Sequence, residues 1–159
     1  MEKKGYFIAP ASITRRAFAF LLDLIIINFV IFTPFKLILN KIIPASSYSA
    51  AKDYIQSNPE ALAFISSMFF VVGIISLFYF SYMEYKIQQT PGKMIIGLYI
   101  KPDKEVKFSN YIFSNLFLIP IFPFTLLWII DPIYLFTSNK NQRLMEKWNG
   151  ILVLQKYKK

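Results

Sequence analysis

Three apolar blocks alternate with polar, mostly basic segments along this chain. The first runs from Ala17 to Leu39 and is interrupted only by Asp23, Asn28, Thr33 and Lys36. The second, Ala61 to Met83, carries no charge. A helix of about 20 residues spans about 30 Å of hydrocarbon, so each of these blocks predicts a transmembrane helix. Ser12 or Thr14 is placed to cap the first helix, because a hydroxyl can satisfy its orphan N–H groups. Pro34 predicts a kink or the approach to the far interface, where Lys36 can snorkel. Asn28 reads as packing glue between helices. Pro59 and Glu60 stand where the second helix should begin. Tyr79, Tyr82 and Tyr85 near its end read as an interfacial aromatic belt.

The third block, Phe108 to Phe136, is broken by Pro120 and Pro123. A turn there leaves two arms of about 12–14 residues, each about 20 Å long at 1.5 Å per residue. Such arms enter a bilayer without crossing it. The expectation is a re-entrant or shallow helical hairpin, sheltered by the first two helices. A single kinked third span is the alternative. Lys41 to Glu60 reads as a polar loop. Leu98–Lys101 predicts a short strand outside the bilayer, followed by a turn over Lys101-Pro-Asp-Lys-Glu105. Ile151-Leu-Val-Leu154 predicts a strand that pairs with it. The predicted fold is an all-α integral membrane protein in one domain over residues 1–159. It has two full spans, a proline-broken third segment and short cytoplasmic β-strands.

Charge orients this plan. Lys and Arg number four in residues 1–16 (Lys3, Lys4, Arg15 and Arg16), two in 41–60, five in 84–107 and six in 138–159. Basic residues in short loops stay on the cytoplasmic side. A multi-pass cell-membrane protein is expected, with its N-terminus and 84–107 loop inside and its 41–60 loop outside. The basic tail belongs inside as well, which favours the hairpin over the third span. No cleavable signal peptide is expected, because the first apolar run is long and lacks a small-residue cleavage site.

Composition narrows the chemistry. The chain is 55% hydrophobic and has neither cysteine nor histidine. Disulfides, thiolate metal sites and the Ser-His-Asp, Cys-His and HExxH arrangements are therefore excluded. No reaction centre is legible, and neither an enzyme nor a cofactor is expected. The net charge of +9 would suit nucleic acid in a polar chain. In one this apolar it predicts contact with anionic lipid head groups instead.

Three blocks carry candidate chemistry. In Arg16-Ala-Phe-Ala19-Phe-Leu-Leu-Asp23, the residues Arg16, Ala19 and Asp23 share one helical face. The small Ala19 allows close helix packing. Glu84 precedes Thr90-Pro-Gly92-Lys93-Met-Ile-Ile-Gly97. This stretch lacks the glycines and following hydroxyl residue of a Walker loop. A tight turn is its plainer reading, with Lys93 at lipid phosphate. The third block is Asn139-Lys-Asn-Gln-Arg143-Leu-Met-Glu146-Lys-Trp-Asn-Gly150.

In this order, over roughly Ser12 to Gln155, the blocks resemble the RDD family of membrane proteins, named for an arginine and two aspartates. Arg16 and Asp23 match the first two letters. Thr90, Gly92, Lys93 and Gly97 resemble the family's loop after the second helix, and Arg143 and Gly150 its C-terminal segment. Glu146 stands where the second aspartate is usual, with Asp131 a rival bearer of the third letter. The resemblance implies a membrane protein for which transport of unidentified ligands has been suggested.

An intramembrane carboxylate costs at least about 2.5–3.5 kcal/mol, so Asp23 must find a partner or a proton. One reading makes Asp23 an ion or proton site, with Glu84 and Asp131 meeting it at one depth and coupling their titrations. The other gives Asp23 a structural pairing with Arg16, and lets Asp131 neutralise Arg143 or Lys140. The aromatic side chains read as packing and lipid-facing residues. Two functions follow. The first is a small cation, proton or solute transporter, or a subunit of one, which two helices and a hairpin could enclose only as an oligomer. The second is a scaffold that binds a protein partner or anionic lipid through its basic face.

Overall fold

The computed structural model describes residues 6–43, 47–103 and 105–158. Lys3, Lys4 and Lys104 lie outside them. β1 (Tyr6–Pro10) leads into α1 (Ile13–Ile27), a π-helical turn over Asn28–Phe32 and α2 (Thr33–Ile42). These form one apolar rod, Ile13–Lys41. Pro34 lies inside this continuous rod, in the first turn of α2, where its ring and missing N–H disturb the regular hydrogen-bond ladder. The wider π turn lies just before it, so the helix adapts there instead of ending. Ser12 is the N-cap of α1 without a side-chain bond to the helix.

Residues 41–60 are not simply a loop. Ser47 caps α3 (Tyr48–Ser57), accepting from the Ala50 N–H at 3.3 Å. Its half-buried positions Ala51, Tyr54 and Ile55 keep helical spacing. Polar composition masks that period in the sequence. Asn58 then caps α4 (Pro59–Ile87) through the Ala61 N–H. Both long helices have the length and apolarity to cross a membrane. Many of their large side chains face outward: Phe29 is 70% exposed and Phe78 51%. A soluble core helix would bury such groups.

α4 ends at Gln88 in the left-handed region. Thr90 caps the short α5 (Pro91–Ile96), which Gly97 stops at φ +77° and turns into β2 (Leu98–Pro102). The third apolar block is broken into α6 (Phe108–Ser114), a 3₁₀ turn over Leu116–Leu118, a turn, a second 3₁₀ turn over Phe124–Leu126 and α7 (Leu127–Thr137). At 1.5 Å per residue, α7 is only about 16 Å long. The break sits on Gly73 of α4. A Cβ there would lie 2.8 Å from Pro120 Cδ and 2.9 Å from the Leu118 carbonyl oxygen. Both arms return to α8 (Leu144–Trp148): Ser114 Oγ donates to the Met145 carbonyl at 3.4 Å, and the Met145 N–H donates to Asp131 at 3.4 Å.

β3 (Ile151–Lys158) lies between β1 and β2, antiparallel to both. Leu98 faces Gln155 and Lys101 faces Leu152 in the register. One sheet therefore joins the start of the chain, the segment after α4 and the tail. Ala11, Ala19, Leu98, Ile100, Tyr111, Ile151 and Val153 form the core beneath it. Ile27, Ile31, Val72 and Phe80 form a second cluster between the long helices. Asn28 packs into neither: it is exposed beside the π turn.

Candidate functional site: a buried ionic cluster with an aromatic wall

The three sequence blocks converge on one cavity of about 270 Å³. α1 supplies Arg16, Phe20 and Asp23; α4 supplies Glu84; the loop into α5 supplies Thr90 and Lys93. The third segment brings Asn115, Phe117, Trp128 and Asp131, and the α8 region Arg143 and Glu146. Four carboxylates thus meet three cationic side chains in a space walled largely by hydrocarbon.

Ala19, Asp23 and Ile27 are the buried face of α1, at i, i+4 and i+8. The Thr90 hydroxyl donates to Asp23 Oδ2 at 2.6 Å, and the Gly92 N–H to Oδ1 at 2.7 Å. The Thr90 oxygen in turn accepts the Lys93 N–H at 3.4 Å. Asp23 therefore completes the first turn of α5 from another helix. Gly92 makes this approach possible: an added Cβ would lie 2.1 Å from the Ala19 carbonyl oxygen and 2.8 Å from Asp23 Cγ. The Thr-Pro-Gly-Lys run thus divides its work by position. Thr90 caps, Pro91 starts the helix, Gly92 permits the close contact and Lys93 supplies the counter-charge.

The placement of Lys93 corrects one expectation. It turns inward to an ion pair with Glu84, and not outward to lipid phosphate. Glu84 is 3% exposed, and a buried carboxylate left unpaired would cost several kcal/mol. Asn115 supplies the second donor, its Nδ2 reaching Glu84 Oε2 at 2.9 Å and the Tyr111 carbonyl at 3.1 Å. Asn115 was not singled out from the sequence. An amide inside an apolar block was its only signal.

Arg16 pairs with Glu146 and not with Asp23. Its Nη2 lies 2.6 and 2.7 Å from the two carboxylate oxygens, and its Nη1 donates to the Asn141 carbonyl. Asn141 holds a left-handed conformation, φ +50°, and ties back to Ala11 through Nδ2 at 3.1 Å. Arg143 approaches Glu146 from the other side, with Nε and its backbone N–H both at 2.9 Å. Burial alone would raise the Glu146 pKa. The Arg16 and Arg143 guanidiniums outweigh it and hold the carboxyl well below the usual range. Arg143 also lies over the Phe117 ring, 5.0 Å from its centroid. Gly150, at φ +66°, turns this segment into β3.

Asp131 is 3% exposed. Its Oδ1 accepts the long Met145 N–H bond and the Leu144 N–H also lies against the carboxyl, while Oδ2 makes no well-formed hydrogen bond among the described residues. Lys140 does not neutralise it, since its Nζ lies 3.9 Å from Asp103 at the surface. Arg143 is its nearest cationic influence, and that guanidinium is already bonded to Glu146. Beside Asp131, Phe20, Phe117 and Trp128 form an aromatic wall with ring centroids 5.7–6.2 Å apart. Trp128 is fixed by its Nε1–H, which donates to the Phe117 carbonyl at 2.6 Å.

Two long, outward-apolar helices and a buried charge cluster at one end define a helical membrane protein. The RDD family profile matches residues 10–150, and the chain belongs to the RDD family. Arg16 and Asp23 carry the first two letters of its name. The carboxylate that Arg16 pairs with is Glu146. No curated protein and no solved structure matches the chain.

Proposed function

We propose that this protein is a non-enzymatic cation transporter, or a subunit of one, whose ion-binding group is Asp131. One observation carries the reading: a carboxylate oxygen buried without a well-formed hydrogen bond among the described residues, in a cavity with one more acidic than basic side chain. A carboxylate in that setting is completed by a proton or a cation. Asp23, Glu84 and Glu146 already have donors on both oxygens or two cationic partners. They shape the site, and Asp131 exchanges the ion.

The proposed topology places the N-terminus, the 84–107 loop and the tail in the cytoplasm and α3 outside. The sheet supports it, because β3 pairs with strands from the first two of these regions. The same pairing favours a third segment that enters and leaves the bilayer on one side. Because the chain has no cysteine, single cysteines report sidedness cleanly. In intact cells a charged maleimide should label Ser49→Cys and leave Lys156→Cys unlabelled until the membrane is opened. The reverse pattern would overturn the orientation. Two long helices and a short hairpin enclose no continuous path, so transport calls for a second copy or a partner subunit.

Flux in proteoliposomes tests the function. A pH-sensitive dye inside should report proton movement when a gradient of Na⁺, K⁺ or tetramethylammonium is imposed. The expected result is a cation-dependent flux that falls at least about tenfold in Asp131→Asn, the loss of one charge-assisted interaction. No flux above empty liposomes with any of the three cations, from folded and inserted protein, would shift the assignment to the scaffold reading.

A further inference from the structure

The chemistry of the cavity narrows what its cation can be. A bare inorganic cation is bound by a shell of oxygens: six to eight for Ca²⁺ and near-octahedral geometry for Mg²⁺. Among the described residues no three acidic side chains converge on a point that could hold a metal ion. Asp131 offers a single open oxygen, and the neighbouring carboxylates are committed to Thr90, Gly92, Lys93, Asn115 and the two arginines. The space is also large for an ion. It is about 270 Å³, against about 30 Å³ for one water in the liquid, and lies near the small end of pockets that take organic molecules.

Its walls are the second clue. Phe20, Phe117 and Trp128 meet edge to face and tilted, and line the same cavity as Asp131. Leu127, Leu135 and Phe136 line the same space. Such walls gain nothing from a hydrated ion, yet aromatic faces attract organic cations. Phe117 already holds one cationic group, the Arg143 guanidinium.

We infer that the cavity takes an organic ammonium ion carrying an aromatic or short aliphatic body. The cationic head pairs with Asp131 Oδ2, donating to it where it carries an N–H, and the body lies against Phe20, Phe117 and Trp128. One positive head balances the one excess carboxylate, and one hydrocarbon body fills the dry part of the space. The inference rests on the cation-site reading of Asp131 and names the class of cation.

Trp128 is the natural reporter. Trp148, the chain's other tryptophan, is 72% exposed and outside the cavity, so Trp148→Phe isolates the signal. The full chain would be placed in nanodiscs at pH 7 and titrated with benzylammonium, with benzyl alcohol as the neutral isostere and empty nanodiscs as the partition control. Saturable quenching by benzylammonium is expected. Benzyl alcohol should bind about 10- to 100-fold more weakly, the worth of one charge-assisted hydrogen bond. Na⁺ and K⁺ should not compete, and Asp131→Asn should erase the preference for the charged ligand.

Equal binding of amine and alcohol would overturn the inference, marking an apolar crevice that lipid chains fill in the membrane. Na⁺- or K⁺-dependent proton flux without amine binding would overturn it too, while leaving the cation-site reading in place. Absence of both amine binding and flux would remove both readings. The comparison of amine with alcohol uses unmutated Asp131, so the test stands even if Asp131→Asn fails to fold.

Discussion

Gly92→Ala is expected to leave little folded protein. The new methyl group would sit 2.1 Å from the Ala19 carbonyl oxygen and 2.8 Å from Asp23 Cγ. The first obstacle is the helix backbone at Ala19, a buried position, which cannot rotate out of the way. α1 and α5 must separate, and the two short bonds to Asp23 lengthen together. Overpacking costs about 1–3 kcal/mol, and each charge-assisted hydrogen bond lost adds about 1.5–3 kcal/mol. The sum is a large share of the roughly 5–15 kcal/mol that holds an ordinary domain together. Thermal unfolding in detergent, with the yield of monodisperse protein, measures the effect. Because the clash is with a carbonyl, Ala19→Gly should not rescue the variant. A Gly92→Ala protein that melts with the wild type would show that α1 and α5 are not in this contact.

Arg16→Ala should be nearly as damaging. Arg16 and Glu146 are 8% and 2% exposed at their side chains, and removing one partner of a buried pair costs about 3–5 kcal/mol. The Asn141 carbonyl loses its donor as well. The pH dependence of the defect separates lost charge from lost packing. In the wild type the Glu146 pKa is depressed from its ordinary 4.5. Its contribution to stability is therefore fully present above pH 4.5 and declines only as pH falls toward the folded value. Across pH 5–8 the wild type should be flat with respect to this group. In Arg16→Ala, only Arg143 and Lys93 are left to oppose burial, so the Glu146 pKa rises. Protonation then relieves the under-compensated charge, and the stability gap to wild type should shrink as pH falls from 7 to 4.5. Melting curves over that range check it. A gap independent of pH would assign the loss to packing.

Local pattern made much of this legible in advance. The two long helices follow from apolar runs that only a membrane or a large core could cover. The strand pair over Leu98–Lys101 and Ile151–Leu154 follows from short apolar, partly β-branched runs; the observed strands extend to Pro102 and Lys158. The shared face of Arg16, Ala19 and Asp23 follows from helical periodicity, which is a property of consecutive residues. Where a competing signal was stronger, local reading fell short. The half-buried period of α3 was hidden by its polar neighbours. Asn28, assigned to a helix contact, is exposed: five residues after Asp23, it stands about 140° around the helix from the buried face.

The sequence by itself determined which residues lie along each helix and which ends are basic, because spacing and composition are carried by the chain alone. It also determined, through Arg16, Asp23, Glu84, Asp131 and Glu146, which charges had to be reconciled with an apolar surrounding. Only the tertiary structure decided how. Arg16 meets Glu146 and Asn141, Asp23 caps α5, Glu84 takes Lys93 and Asn115, and Asp131 keeps one oxygen open. Each pairing, apart from that of Glu84 with Lys93, joins segments more than 30 residues apart. The bending of the third segment at Gly73 and the close approach at Gly92 set their registers. A carboxylate's environment depends on the donors that fold around it, and no local period specifies those.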